Sequence, residues 1–232
     1  MYTLLLTPLI DEFTPLLEAF NAMGYYSTPK TIGNLTIHEI KELKLFLAQG
    51  GHGKTQFGVQ TQHLLDLISN ISLVICAGAA GGIAHFINIG DIVVATSTVE
   101  HDYNLKFAKR PLPDFAGSSI HIEKIQSINS TLSNGFKIHF GKIASGDEDV
   151  IERPRAEELH NLTSALAVAW EGAGGARATR FMKIPYLEIR GLTDVADNEA
   201  PIIFDENLKV IMPRIASLVA SLQLTSLQQT AT

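Results

Sequence analysis

Residues 165–180 read Ala-Leu-Ala-Val-Ala-Trp-Glu-Gly-Ala-Gly-Gly-Ala-Arg-Ala-Thr-Arg, and they decide how the chain is interpreted. The apolar run 165–169 has the length and composition of a strand buried on both faces. Residues 172–180 are dominated by glycine and alanine, as in a helix packed tightly against a neighbour. Trp170 and Glu171 fall where strand becomes helix. In an open α/β sheet that edge is where ligands bind. A second apolar run, 184–192, leads into another acid, Asp194. Two strands that each end on a carboxylate predict a site built along one edge of a sheet.

The same grammar extends outward. Residues 3–7 form a short buried strand closed by Pro8, and Asp11 and Glu12 open a helical pattern through Phe13, Leu16, Leu17 and Phe20. Acids in a first turn ordinarily serve the helix dipole. Gly33-Asn34 between β-type residues predicts a hairpin over 27–40. Residues 43–48, 73–77, 92–98 and 137–144 read as further strands, with helices through residue 67, over 152–162 and over 204–224. Residues 106–119 read as a loop lying over a site or an interface. Alternating strands and helices give an α/β fold: one domain over residues 1–224, in three α/β/α layers with a central mixed sheet, and a polar tail over 225–232 expected to fray.

Composition narrows the function. The 232 residues are 46% hydrophobic, which supplies ample core for a single domain. Only 18% are charged, below the ordinary share, so some surface is expected to be covered in a homodimer. A net charge of −6 without a basic run argues against nucleic-acid and membrane partners. The run 73–87 is short and broken by Gly78, Gly81 and Gly82, which makes it a poor membrane span. The single cysteine, Cys76, reads as a buried thiol in a reducing cytoplasm.

Several motifs are close to known chemistry without meeting it. Gly53-Lys54-Thr55 ends like a phosphate-binding loop, but Ala48 stands where that loop requires its first glycine. Gly78-Ala79-Ala80-Gly81-Gly82 lacks the dinucleotide spacing and reads as a loop whose small residues admit a ligand to the backbone. His101-Asp102 reads as an ordinary loop pair. Asp147-Glu148-Asp149 reads as a solvated turn, because a calcium loop needs further ligands at fixed spacing. Neither metal nor cofactor is expected.

Taken in order, residues 7–12, 50–53, 77–82, 90–93, 145–147, Trp170-Glu171-Gly172-Ala173 and 190–197 together resemble the purine nucleoside phosphorylase and nucleosidase superfamily. They are most similar to its 5′-methylthioadenosine/S-adenosylhomocysteine nucleosidases and futalosine hydrolases. The resemblance covers almost the whole chain. It implies a nucleoside phosphorylase-like fold, a nucleoside substrate and cleavage of an N-ribosidic bond. It makes Asp194 the acid toward N7 of the purine, Glu12 the base for water and Glu171 the acceptor of ribose hydroxyls. Trp170 is placed against the ribose face. Gly78, Ala79, Thr193, Asp149 and Val150 are carried over as further substrate-binding positions, and Leu9, His52 and Phe204 surround the 5′ substituent.

Departures from the pattern are informative. Ala169 replaces a frequent glutamate, Asp149 a frequent aromatic, and His52 a commonly apolar residue, which points to a polar or anionic 5′ group. No arginine precedes Arg110. The phosphorylases resembling this chain hold phosphate with arginine, whose planar fork suits the dianion. Hydrolysis of an adenine nucleoside is therefore expected. Futalosine hydrolysis, phosphorolysis and nucleoside binding without turnover are the alternatives.

Overall fold

The computed structural model describes residues 1–104, 106–108, 110–129 and 135–229. Its elements run β1 (Tyr2–Thr7), α1 (Ile10–Ala22), β2 (Thr28–Ile32), β3 (Leu35–Ile40), β4 (Leu45–Gln49), α2 (Gly53–Leu67), β5 (Ile71–Gly82) and β6 (Ile92–Glu100). Then follow β7 (Asp114–Ala116), α3 (Ser119–Asn129), β8 (Ile138–Ser145), α4 (Arg153–Thr163), β9 (Ala165–Ala169), α5 (Gly172–Met182), β10 (Tyr186–Asp194) and α6 (Ala200–Gln229).

The strands form one mixed sheet in the order β10-β6-β8-β9-β5-β1-β4-β3-β2, with β7 on β6. The sheet curls back on itself, because β10 pairs in parallel with β5 and antiparallel with β6. With β6–β8, β8–β9 and β9–β5 pairing as well, five strands close a ring from which β1, β4, β3 and β2 extend. The hairpin expected over 27–40 is β2 and β3, joined at Gly33-Asn34.

Successive strand side chains point to opposite faces, and both faces of this sheet are covered. Leu5 joins a core with Leu16 and Phe20 of α1 and with Ile211, Met212 and Ile215 of α6. Leu4 and Leu6 join another with Phe57 of α2 and Ala173 and Ala176 of α5. This is the layered arrangement the alternating pattern implies. α6 is long and apolar enough, by length and composition, to cross a membrane, and half of that stretch is buried.

The small residues of 172–176 are explained by helix contact. A Cβ on Gly174 would lie 2.1 Å from the Lys54 carbonyl oxygen, and one on Gly58 would lie 3.1 Å from that of Gly174. Backbone meets backbone where α2 crosses α5, and a side chain would push them apart.

Four expectations are corrected. The glycine run after residue 77 is not a loop but the second half of β5, paired with β10 and β9. Its glycines make room for side chains: a Cβ on Gly81 would sit 2.8 Å from Asp194 Oδ1. The segment 106–119 contains β7, and α3 begins at its end, with Ile122 and Ile125 buried in the core and Ile128 packed against it. Lys109 lies outside the described residues. α6 starts four residues before the expected position and runs on through most of the polar tail. Thr225 and Ser226 donate their hydroxyls to Ser221 O and Leu222 O there, because extending a nucleated helix is easy. Residues 230–232 lie outside the described part.

Candidate active site

The carboxyl ends of β1, β5, β9 and β10 converge on a cavity of about 400 Å³. Leu9, Glu12, His52, Ala79, Asp149, Val150, Trp170, Glu171, Thr193, Asp194 and Phe204 all line it, as does Ala169. Residues spread over nearly two hundred positions are thus brought together at one cavity. Gly78 is the exception. It stands behind the cavity, where a Cβ would meet Glu12 Oε1 at 2.4 Å. It leaves space for the carboxylate and does not border the cavity.

Glu12 is buried in the first turn of α1 and does two jobs. Its Oε2 accepts from the Leu9 N–H at 2.9 Å, which caps the helix, as a first-turn acid commonly does. Its Oε1 accepts from the Ala79 N–H at 2.7 Å, which ties it to β5. Burial, and then the neighbouring Glu171, push its pKa up to about 7, against Arg190 and the two N–H donors. A carboxyl poised there can take or give a proton near neutrality.

Glu171 occupies the N-cap position of α5. Its Oε1 accepts from the Gly53 N–H at 3.2 Å, at the head of α2, and lies 3.4 Å from His52 Nδ1. Gly53 has φ +77°, a left-handed turn that suits glycine and aims this N–H at the carboxylate. The preceding Trp170 is fixed through its carbonyl, which accepts from Ser145 Oγ at 2.7 Å; the same Oγ accepts from the Ala173 N–H at 2.9 Å. The His52 ring stacks on the indole with centroids 4.3 Å apart.

Asp194 ends β10. Its Oδ2 accepts from Thr193 Oγ1 at 2.7 Å and its Oδ1 from the Ala196 N–H at 2.8 Å. Burial outweighs both bonds and raises its pKa above the ordinary carboxylate value. The cavity therefore carries acids of raised proton affinity on two separate elements, with an anchored carboxylate, Glu171, beside one of them.

The group the sequence reading left without a role is Arg190. It is 1% exposed and sits at the centre of the site. Its Nη2 lies 3.1 Å from Glu171 Oε2, its Nη1 donates to Ala79 O at 3.2 Å, and its Nε donates to Glu188 Oε1 at 2.8 Å. The signal was in the sequence. An acid and a base two residues apart in an apolar strand share a face. A charge that cannot reach solvent needs its partner close by.

The remaining motifs settle as structure. Lys54 gives its N–H to Asp147 Oδ1 at 2.8 Å, and its ammonium pairs with Asp102 and with Glu100, the latter at 3.3 Å. Glu148 is held by Arg155 at 2.7 and 2.8 Å. Asp102 also accepts from the Asp147 N–H at 3.0 Å, while neither His101 ring nitrogen has a hydrogen-bond partner, so the two do not form a dyad. Among the described residues no group of three or more His, Cys, Asp or Glu side chains is placed to hold a metal ion.

Known proteins match this sequence and fold. The sequence model of the phosphorylase superfamily matches residues 4–223. A 5′-methylthioadenosine/S-adenosylhomocysteine nucleosidase of Glaesserella parasuis is 31% identical over 86% of this chain and 91% of its own. An aminodeoxyfutalosine nucleosidase of Helicobacter pylori strain J99 is 31% identical over 86% of this chain and 88% of its own. Among solved structures, a Helicobacter pylori 5′-methylthioadenosine/S-adenosylhomocysteine nucleosidase in complex with a pyrrolidinol ligand superposes with a TM-score of 0.86 at 26% identity, covering 96% of this chain and 97% of the other. A futalosine hydrolase of the same species, strain 26695, gives 0.85 at 26% identity over the same shares.

Proposed function

The chain belongs to the phosphorylase superfamily, and on that premise we propose that it hydrolyses the N-ribosidic bond of a 5′-substituted adenine nucleoside and releases adenine. The observation that carries the reading is that Glu12 and Glu171 neighbour each other at one part of the cavity while Asp194, its proton affinity raised by burial, stands separately at another.

The steps follow from charge. Breaking the bond leaves a ribosyl cation and sends electrons into the purine. Asp194, protonated, gives its proton to N7, so the base departs neutral. Glu171 accepts hydrogen bonds from the ribose hydroxyls, and these tighten as positive charge develops. Glu12 removes the proton from the attacking water and completes the product sugar. Trp170 supplies a flat apolar wall to the ribose.

Water is favoured over phosphate because, among the described residues lining the cavity, there is no lysine and the arginine is already engaged. Arg190 is the one arginine among the described residues lining the cavity, and each of its three nitrogens already donates, Nε to Glu188, Nη1 to Ala79 O and Nη2 to Glu171. Lys54 is tied to Asp102 and Glu100.

The 5′ end is read from strand order. The path from Asp194 on β10 runs through β5 and β1 to the end of β4, which His52 closely follows. Three strand spacings are about 14 Å, enough for a base, a ribose and a 5′ group. His52 stands at the far end, half-exposed and stacked on Trp170. A polar or anionic 5′ substituent fits that end better than a bare methylthio group. S-adenosylhomocysteine and aminodeoxyfutalosine are the preferred candidates. A cytoplasmic homodimer belongs to the same proposal, supported by exposed Val59 on α2 and Phe181 on α5. Sedimentation at twice the monomer mass would agree with it.

The test is a panel of methylthioadenosine, S-adenosylhomocysteine, aminodeoxyfutalosine and futalosine, each with and without phosphate. Adenine release independent of phosphate is expected. A strict phosphate requirement with formation of a ribose 1-phosphate would sink the hydrolytic reading. Turnover of futalosine alone would replace adenine with hypoxanthine.

A further inference from the structure

Glu188 lies in the middle of β10, fully buried and absent from the cavity wall. Its Oε1 accepts from Arg190 Nε at 2.8 Å, and its Oε2 from Thr98 Oγ1 of β6 at 2.5 Å. The space it fills is kept open by Gly172, where a Cβ would fall 2.2 Å from Glu188 Oε2. Its side chain has no solvent exposure, so this carboxylate has no route to water. A buried ion pair is a poor device for stability, since apolar residues of the same volume commonly do as well. Its position suggests another purpose. A guanidinium beside the ribose opposes the positive charge that must develop there. Arg190 alone would weaken Glu171, which it orients, and Glu12, on which its charge also acts.

We propose that Glu188 is a positioning residue for the reaction: it fixes the Arg190 guanidinium against Glu171 and Ala79 O and cancels its charge, so that Glu12 and Glu171 keep their negative field for the ribosyl cation. The role rests on the hydrolase reading above. The charged and titratable groups around the cluster are Glu12 on α1, Glu171 at the head of α5 and His52 before α2. Cys76 of β5 contacts Arg190 Nη2 at 3.3 Å, and Tyr186 of β10 lies beside Cys76. Three carboxylates then surround one guanidinium, and the proton affinity of Glu12 stays near neutrality.

The experiment is Glu188→Gln, which keeps the shape and an acceptor for Nε but removes the charge. Expected are a fall in kcat of ~10-fold or more with KM changed by less than about twofold. The limb near pH 7 in the profile of kcat/KM should move down by about one unit, because Arg190 then acts on Glu12 unopposed. Glu188→Asp, which keeps the charge, should leave that limb in place. Thr98→Val removes only the hydroxyl that stabilises the Glu188 anion; it should move the limb in the same direction by less, and it stands in if Glu188→Gln does not fold. An unchanged kcat, or a lower kcat with the limb unmoved in both Glu188→Gln and Thr98→Val, overturns the proposal and leaves a merely structural pair. No base release by the unaltered enzyme overturns the function itself, and this role with it.

Discussion

The two ends of the cavity handle protons by different means. At the end proposed for the ribose Glu12, Glu171 and Glu188 crowd one guanidinium, and each carboxylate accepts from at least one other element. At the base end Asp194 has two short-range donors, Thr193 and Ala196, and burial to raise its proton affinity. The first is a network in which removing one member alters the rest. The second is a nearly independent acid. The difference teaches that changes at the base end should be clean and local, while those at the ribose end should spread into pH dependence and stability.

The largest expected effect is at the base end. Asp194→Asn removes the transferable proton but keeps the shape, so kcat should fall by ~10³-fold or more while nucleoside binding persists, as calorimetry would show. Retained activity would remove Asp194 from the mechanism. At the ribose end Glu12→Gln should lower kcat by roughly 10²-fold or more, and it should also shift stability. A carboxyl whose folded pKa is raised from 4.5 to about 7 costs the folded state above pH 7 and nothing below its unfolded value. The variant should therefore gain up to about 3 kcal/mol at pH 8, less the worth of one lost N–H bond, and that gain should vanish as pH falls toward 4.5. Urea unfolding at the two pH values reads the difference, and a pH-independent effect would break the contrast.

Smaller effects sharpen the remaining parts. Gly174→Ala places a methyl against the Lys54 carbonyl and should cost about 1–3 kcal/mol by prising α2 from α5, seen as a lower urea midpoint. His52→Ala should raise KM about 3–10-fold for a nucleoside with an anionic 5′ group and leave methylthioadenosine nearly unchanged. Equal losses for both substrates would mean that His52 supports Trp170 and does not read the 5′ substituent.

Much of the fold is legible because β1, β4 and β9 are short unbroken apolar runs and α2 and α5 begin on glycine-rich turns. The glycine run of β5 reads as a loop because glycine usually ends strands; in the structure it admits the Glu12 and Asp194 side chains, a requirement set by residues far away in sequence. Glu171 and Asp194 stand out in the sequence by their places at strand ends, whereas Glu12 reads as an ordinary first-turn acid and is singled out only by the resemblance. Arg190 and Glu188 lie inside an apolar strand, where the sequence pattern speaks for packing alone. His101 could not be foreseen at all: its burial depends on the turn at Gly146, whose Cβ would fall 2.3 Å from the ring.

The most direct test follows adenine release from S-adenosylhomocysteine, methylthioadenosine and aminodeoxyfutalosine in phosphate-free buffer, with Asp194→Asn in parallel. Release by the unaltered enzyme at a rate that added phosphate does not change, with none from the variant, is the predicted result. Release that appears only with phosphate, or that survives in Asp194→Asn, would contradict it.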